Sequence, residues 1–300
     1  MDRKLFKLLD TSSNAAVLAE ISEIAGMVSE NFNLNQFNSV CTDVLTIYEG
    51  RCPYYKACNT DYHDLDHVLQ VTLATARIAH GTHVAGKLHY ESSDLLLILV
   101  SAMLHDIGYI QPAIDEQGTG AKHTLEHVGR SIDFAKNYLT QKGFDTDSVQ
   151  AGSVIIKATD ISVRIEEIPF HREKWELLAK IMATGDIVAQ MADRFYLEKL
   201  LLLYREFDEG KVPGFQSELE LLSRTIGFYE YARKRMDNDL GGFRKYLRRH
   251  FEIRWGIGED LYQKAIDTNI AYLTFLLAEH RENYRDMLQR GSIVKNLQAL

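Results

Sequence analysis

Five segments in the first two thirds of the chain concentrate residues able to hold a metal ion: YHDLDH at 62–67, LHDIGY at 104–109, HTLEH at 123–127, ATD at 158–160 and TGD at 184–186. Imidazole nitrogens together with carboxylate oxygens suit zinc, iron or manganese, and a more oxygen-rich position suits magnesium or manganese. No thiolate belongs to the set. The chemistry open to such groups is activation of water by one or two divalent ions. His63 and His67 stand four residues apart and would share one face of a helix, as would His123 and His127. The adjacent His105 and Asp106 would point about 100° apart on a helix, so both meet one ion only at a helix end or a lining position. With two oxygens, Asp106 could bridge a pair of ions. Each segment alone has an ordinary explanation. A single histidine is more often packed or solvated than a ligand, HTLEH could be an exposed helix start, and the aspartates of ATD and TGD could be turn or capping residues. Their order and number carry the weight.

The elements that must position these residues are helices. Only 4 prolines occur in 300 residues, and Leu, Ala, Glu, Lys and Arg dominate most segments, a composition that favours an all-α fold. Ser12 and Ser13 can cap a helix running toward Asn31, and a second helix is expected from near Asn35 to Gly50. After an irregular connection at 51–61, a helix should start near His63 and end before Gly81, and another should run from Ser93 to the next histidine. IQPAIDEQGTG at 110–120 is loop chemistry that could border a site. Val128, Ile132, Ala135 and Leu139 mark an amphipathic helix from His123 to before Gly143. Further helices are expected over 148–159, 173–207, 215–236, 242–255 and 261–289. Without a repeat, low-complexity tract or Gly/Ser linker, the chain reads as one domain over 1–300.

A hydrophobic content of 46% and 25% charged residues describe an ordinary globular chain, and a net charge of -8 repels a polyanion, so nucleic acid is not expected as a partner. The three cysteines, Cys41, Cys52 and Cys58, form no CxxC pair and point to a reducing, cytoplasmic setting. The apolar run Leu95 to Leu104 is far shorter than the roughly 20 residues of a membrane-spanning helix, and the start of the chain lacks a signal-like apolar core. No membrane association is expected.

In this order the segments resemble the HD superfamily, and more narrowly its branch containing the cyclic nucleotide phosphodiesterases. There a Tyr-His-Asn segment precedes a second histidine, as in YHDLDH with Asp64 at the asparagine position. A His-Asp pair follows, then a Leu-Glu-Asn-His-His helix similar to the stretch from Leu125, then Ala-Thr-Asp, then a late aspartate matching Asp186. The resemblance covers roughly residues 55–235, with flanking helices in 1–50 and 236–300, and implies an HD/PDEase-like helical bundle. It implies that His67, His105, Asp106 and Asp186 hold a first metal, with Asp106 bridging to a second. His63 matches the histidine that protonates the leaving alkoxide, and Glu126 falls near the glutamate that orients water. On the same helix His127 is first choice and His123 second choice as ligand of the second metal, and Asp160 would support the histidines from behind.

The resemblance thus implies one or two divalent ions per chain (Mn, Mg, Zn or Fe) and a metal-activated water that cleaves a phosphomonoester or phosphodiester. A nucleotide is the first expected substrate. The match departs at SRTIGFYEY, 223–231, where Thr225 stands in place of a purine-reading glutamine and cannot make its two-pronged amide contact. The Gly-Tyr-Pro segment of the cyclic dinucleotide hydrolases is absent too. The basic run with Arg244, Lys245, Arg248 and Arg249 reads as a solvated face. Two other functions fit the same residues: a di-iron oxygenase, distinguished by two irons per chain and oxygen consumption, and a nonenzymatic nucleotide-binding or sensor module. The C-terminal helix with Tyr272, Leu276 and Leu277 could pack on its own domain or form a homodimer.

Overall fold

A computed structural model describes residues 4–297. No strand forms among them, and a single antiparallel bridge joins Tyr55 to Pro112. The helices are α1 (Asn14–Val28), α2 (Leu34–Tyr48), α3 (Leu65–Val84), α4 (Ser92–Leu104), α5 (His127–Gln141), α6 (Thr146–Lys157), α7 (Glu173–Ala192), α8 (Tyr196–Glu209), α9 (Glu218–Lys234), α10 (Leu247–Trp255), α11 (Leu261–Glu279), and the short α12 (Tyr284–Met287) and α13 (Ile293–Leu297). Several of their starts follow capping chemistry. Ser13 accepts from the Ala16 amide at 3.3 Å, Asn33 from Gln36 at 3.1 Å and Asp145 from Ser148 at 2.7 Å, each satisfying an amide that the first helical turn leaves free.

Two apolar helices make the centre. α3 is buried from His67 to Thr82 except at the partly exposed Gln70 and packs against α1, α4, α7 and α10. α4 is buried throughout Leu95–Leu104. The stretch Ser92–Tyr109 is long and apolar enough to cross a membrane, but 83% of it is buried inside the bundle, so its apolarity is used by the core. One continuous apolar cluster runs from Val17 to Leu297.

Several expected boundaries move. α3 does not stop before Gly81 but continues to Val84, because Gly81 is a contact point: a Cβ there would lie 2.0 Å from the Tyr246 carbonyl oxygen. The expected helix over 173–207 is two helices. The break at 193–195 is held by the Asp193 carboxylate, which accepts the Phe195 amide at 2.7 Å, and by Asn269 of α11, which donates to the carbonyls of Met191 and Asp193 at 3.0 and 2.9 Å. The helix expected over 261–289 ends at Glu279, after which the chain turns back so that Tyr272 donates to the Met287 carbonyl at 2.9 Å. α5 starts at His127, preceded by a 3-10 turn over Gly120–His123. Along the basic run, Arg244 pairs with Asp237 and Arg249 with Glu252.

Candidate metal centre

The site is assembled from helix ends. α3 begins where Asp64 accepts the His67 amide at 2.8 Å, which puts His67 in the first turn and uses Asp64 as the cap. His63 precedes that cap and lies outside the helix. The two rings, 5.6 Å apart, therefore meet through a bend and not through a shared helix face. Thr60 secures the bend by donating to the His63 carbonyl at 2.7 Å. α4 ends at Leu104; His105 is its C-cap, and Asp106 leaves the helix at φ -110°, ψ 8°. This is the helix-end geometry that lets adjacent residues converge. Asp186 comes from the middle of α7, brought close by Gly185, where a Cβ would sit 2.4 Å from Thr75 Oγ1 and 3.0 Å from the Thr75 amide of α3.

His67 Nε2 lies 3.3 Å from Asp106 Oδ2 and 3.5 Å from Asp186 Oδ1; His105 Nε2 lies 3.2 and 3.9 Å from the same two atoms. Ligand atoms of His67, His105 and Asp106 all fall within 4.8 Å of one another. The other oxygen of Asp106, Oδ1, faces His127 Nε2 at 3.6 Å, so one carboxylate addresses imidazoles on both sides. The tautomers fit a metal. His105 Nδ1 is 2.8 Å from the Ala102 carbonyl and His127 Nδ1 is 2.6 Å from that of Thr124. A carbonyl only accepts, so each Nδ1 carries the hydrogen and each Nε2 can offer its lone pair. His105 Nε2 is buried without a hydrogen-bond partner, an arrangement that a cation between imidazoles and carboxylates satisfies.

The electrostatics agree. Burial disfavours a charged His105, yet Asp106 and then Asp186 raise its pKa to about 9. Burial also opposes ionisation of Asp106, but His105, His67 and His63 hold its carboxyl well below the usual range. A field that favours positive charge at these nitrogens favours a metal in the same place. At His127 burial dominates over Asp106 and lowers the pKa.

Beside the cluster, His63 Nδ1 is 2.5 Å from Glu206 Oε2, and Glu206 Oε1 accepts the amides of Tyr62 and His63 at 2.6 and 3.3 Å. Burial works against a charged His63, but Glu206 outweighs it and the pKa rises. Glu206 of α8 is a residue of the site that sequence reasoning missed. Glu198 and Glu206 are both buried in α8, and buried carboxylates need a purpose, but on a helix Glu206 falls about 180° from Leu197, so the apolar spacing of the segment gave no signal for it. Also unnoticed were Gln190, which accepts from the Tyr62 hydroxyl at 3.0 Å, and Lys199, paired with Asp193 at 2.7 Å and Asp66 at 3.0 Å. With His67 and Tyr196 they line a cavity of about 10 Å³, room for one water.

Other expected site residues lie elsewhere. His123 does not share a face with His127: its Nδ1 is 2.7 Å from Glu126 and its Nε2 is 3.7 Å from Asp115. Glu126 is 64% exposed and directed to His123. The Asp160 carboxylate accepts from Ser162 and Lys157 at 2.6 and 2.9 Å, so its bonds go to its own turn and not to the site histidines. Thr225, buried in α9, donates its hydroxyl to the Leu221 carbonyl at 2.9 Å and offers nothing to a purine edge.

Among solved structures the chain is similar to the phosphodiesterase domain of Salpingoeca rosetta rhodopsin phosphodiesterase, with a TM-score of 0.55 and 14% identity over 92% of each chain. At that identity the likeness concerns the fold, which is an all-α, phosphodiesterase-domain-like bundle. No curated protein matches the sequence. A family model described as Npun_R2479-like matches residues 53–235, more than half of the chain and the stretch holding every ligand candidate. The chain belongs to the Npun_R2479-like family.

Proposed function

We propose that this protein is a metal-dependent phosphoester hydrolase acting on a small phosphorylated substrate, a nucleotide first among them. The observation that carries the reading is the convergence of His67, His105, Asp106 and Asp186 on one centre, with His105 Nε2 buried beside both carboxylates and making no hydrogen bond. The phosphodiesterase-like fold supports it. His67 Nε2, His105 Nε2, Asp106 Oδ2 and Asp186 Oδ1 would hold one divalent ion, and Asp106 Oδ1 with His127 Nε2 a second. When bound, such ions neutralise phosphate oxygens and make water a nucleophile near neutral pH.

The chain's own residues supply the rest. Glu206 fixes the His63 ring through Nδ1, leaving Nε2 to deliver a proton to the departing oxygen. Proton donation of this kind is typically worth about 10²- to 10⁴-fold. Glu126, which the resemblance implicates in orienting water, is directed to His123 and not to the centre, so water orientation falls to the ligand carboxylates Asp106 and Asp186 in this reading.

The test is a screen of nucleotide and non-nucleotide phosphomonoesters and diesters with added manganese or magnesium, with and without a chelator. Metal-dependent release of alcohol or phosphate is expected. Iron at two per chain with oxygen consumption and no cleavage of any ester would replace the hydrolase with a di-iron oxygenase.

A further inference from the structure

Tyr109, the last residue of LHDIGY, is neither a ligand nor the proton donor, yet it is buried to 1% exposure between the two. Its ring stacks on His63 at 4.4 Å between centroids with 13° between planes, and on His127 at 4.5 Å and 21°. The two imidazoles are 6.0 Å apart, much less than a sandwich across the phenol would give. They neighbour one another beside a single aromatic platform.

Neither imidazole is held by a helix interior. His63 precedes the cap of α3 and His127 opens α5. Each is anchored at one nitrogen, Nδ1 of His63 on Glu206 and Nδ1 of His127 on the Thr124 carbonyl. A ring tied at one atom can still swing about that bond, and a parallel aromatic neighbour removes the freedom by fixing the ring plane. The phenol hydroxyl is buried without a hydrogen-bond partner, so the face of the ring and not its oxygen makes the contact. The platform itself is fixed, since the Tyr109 amide donates to the Asp106 carbonyl at 3.1 Å.

We infer that Tyr109 is a positioning residue that sets His63 and His127 together, tying the proton donor to the ligand of the second ion. The part concerning His63 rests on the phosphoester reading; the part concerning His127 does not.

The experiment compares wild type with Tyr109→Leu, which removes the platform, and Tyr109→Phe, which keeps it. Manganese binding is titrated, and kcat and KM are measured at saturating manganese on two phosphoesters, one with a p-nitrophenyl and one with an alkyl leaving group. A p-nitrophenolate departs with little need of a proton, whereas an alkoxide needs one. Tyr109→Leu should bind the second manganese about 10-fold more weakly and lose about 10²-fold in kcat on the alkyl ester, with a much smaller loss on the nitrophenyl ester. Tyr109→Phe should restore all three values. Equal losses on both esters with unchanged manganese binding would mean a packing role only and overturn the inference, as would a Tyr109→Leu enzyme like wild type or a wild type that takes up a single ion. If wild type cleaves neither ester, the phosphoester reading fails and the manganese titration alone decides: weaker second binding in the Leu but not the Phe variant supports the platform, and equal binding overturns it. Should circular dichroism show Tyr109→Leu to be unfolded, Tyr109→Met is read in the same way.

Discussion

Helix α3 carries a buried histidine group at each end, and the two behave in opposite ways. Near its start, His67 joins His105 and His127 around Asp106, with Asp186 on the far side. Near its end, His80 faces His250 of α10, Nδ1 to Nδ1 at 3.1 Å, with exposures of 1% and 0%. The groups around this second pair are Arg77 and His83 of α3 and Arg254 of α10, whose charge is taken up by Glu20 and Glu23 of α1. Among the described residues neither His80 nor His250 forms an ion pair with a carboxylate. Burial, then His83 and Arg254, push the His80 pKa down to about 4, and burial with Arg77 drives His250 well below the ordinary range. At the other end the carboxylates reverse the effect of burial and take His105 up to about 9. Buried histidine alone therefore does not make a cation site; the carboxylate between the imidazoles does.

The largest expected effect sets the two ends directly against each other. His105→Ala should abolish ion retention and lower kcat/KM on a cleavable phosphoester by more than about 10³-fold, while His250→Gln leaves both unchanged. Elemental analysis and steady-state kinetics on the two variants check this, and loss of metal from His250→Gln would break the contrast. Next, Glu206→Gln should lower kcat about 10²-fold by weakening the hold on His63 while the ion content stays at the wild-type value.

The third effect is on stability. Because His80 and His250 resist protonation in the fold, the unfolded chain binds more protons below about pH 6.5. Their contribution is complete above that pH and is lost as pH falls toward about 4, where His80 itself titrates. The loss from His80 alone should be on the order of 2 kcal/mol by pH 5, and His250 adds to it in the same direction. Urea unfolding at pH 7.5 and pH 5 measures it, and the same slope in a His80→Gln/His250→Gln variant would assign it to other groups. Smallest is Glu126→Gln, which removes an exposed partner of His123 and should change kcat/KM by less than about threefold. A loss of 10²-fold would return Glu126 to the catalytic set.

The residues that converge at the centre, His67, His105, Asp106 and Asp186, were legible before folding because their order along the chain is distinctive, and the helices because few prolines interrupt them and Ser13 caps as expected. What escaped depends on partners distant in sequence. The expected helix over 173–207 carries no proline at 193, and the break is made by Asn269, some eighty residues away, binding the carbonyls of Met191 and Asp193. With α8 hidden inside a longer helix, the face holding Glu206 could not be recognised. His123 and His127 show the converse: spacing put them on one face, but the turn over Gly120–His123 precedes the helix, and only His127 turns to Asp106. Asp160 sits at a matching motif, yet Ser162 and Lys157 are nearer partners than any histidine.

The central claim is that His67, His105, Asp106 and Asp186 form one ion-binding centre, and the most direct measurement is elemental analysis of the purified protein beside an identically prepared Asp186→Ala variant, before and after manganese loading. Wild type should retain one or two divalent ions per chain and the variant should lose them while keeping its helical circular dichroism. A wild type that stays metal-free after loading, or an Asp186→Ala variant that holds as much metal as wild type, would contradict the account.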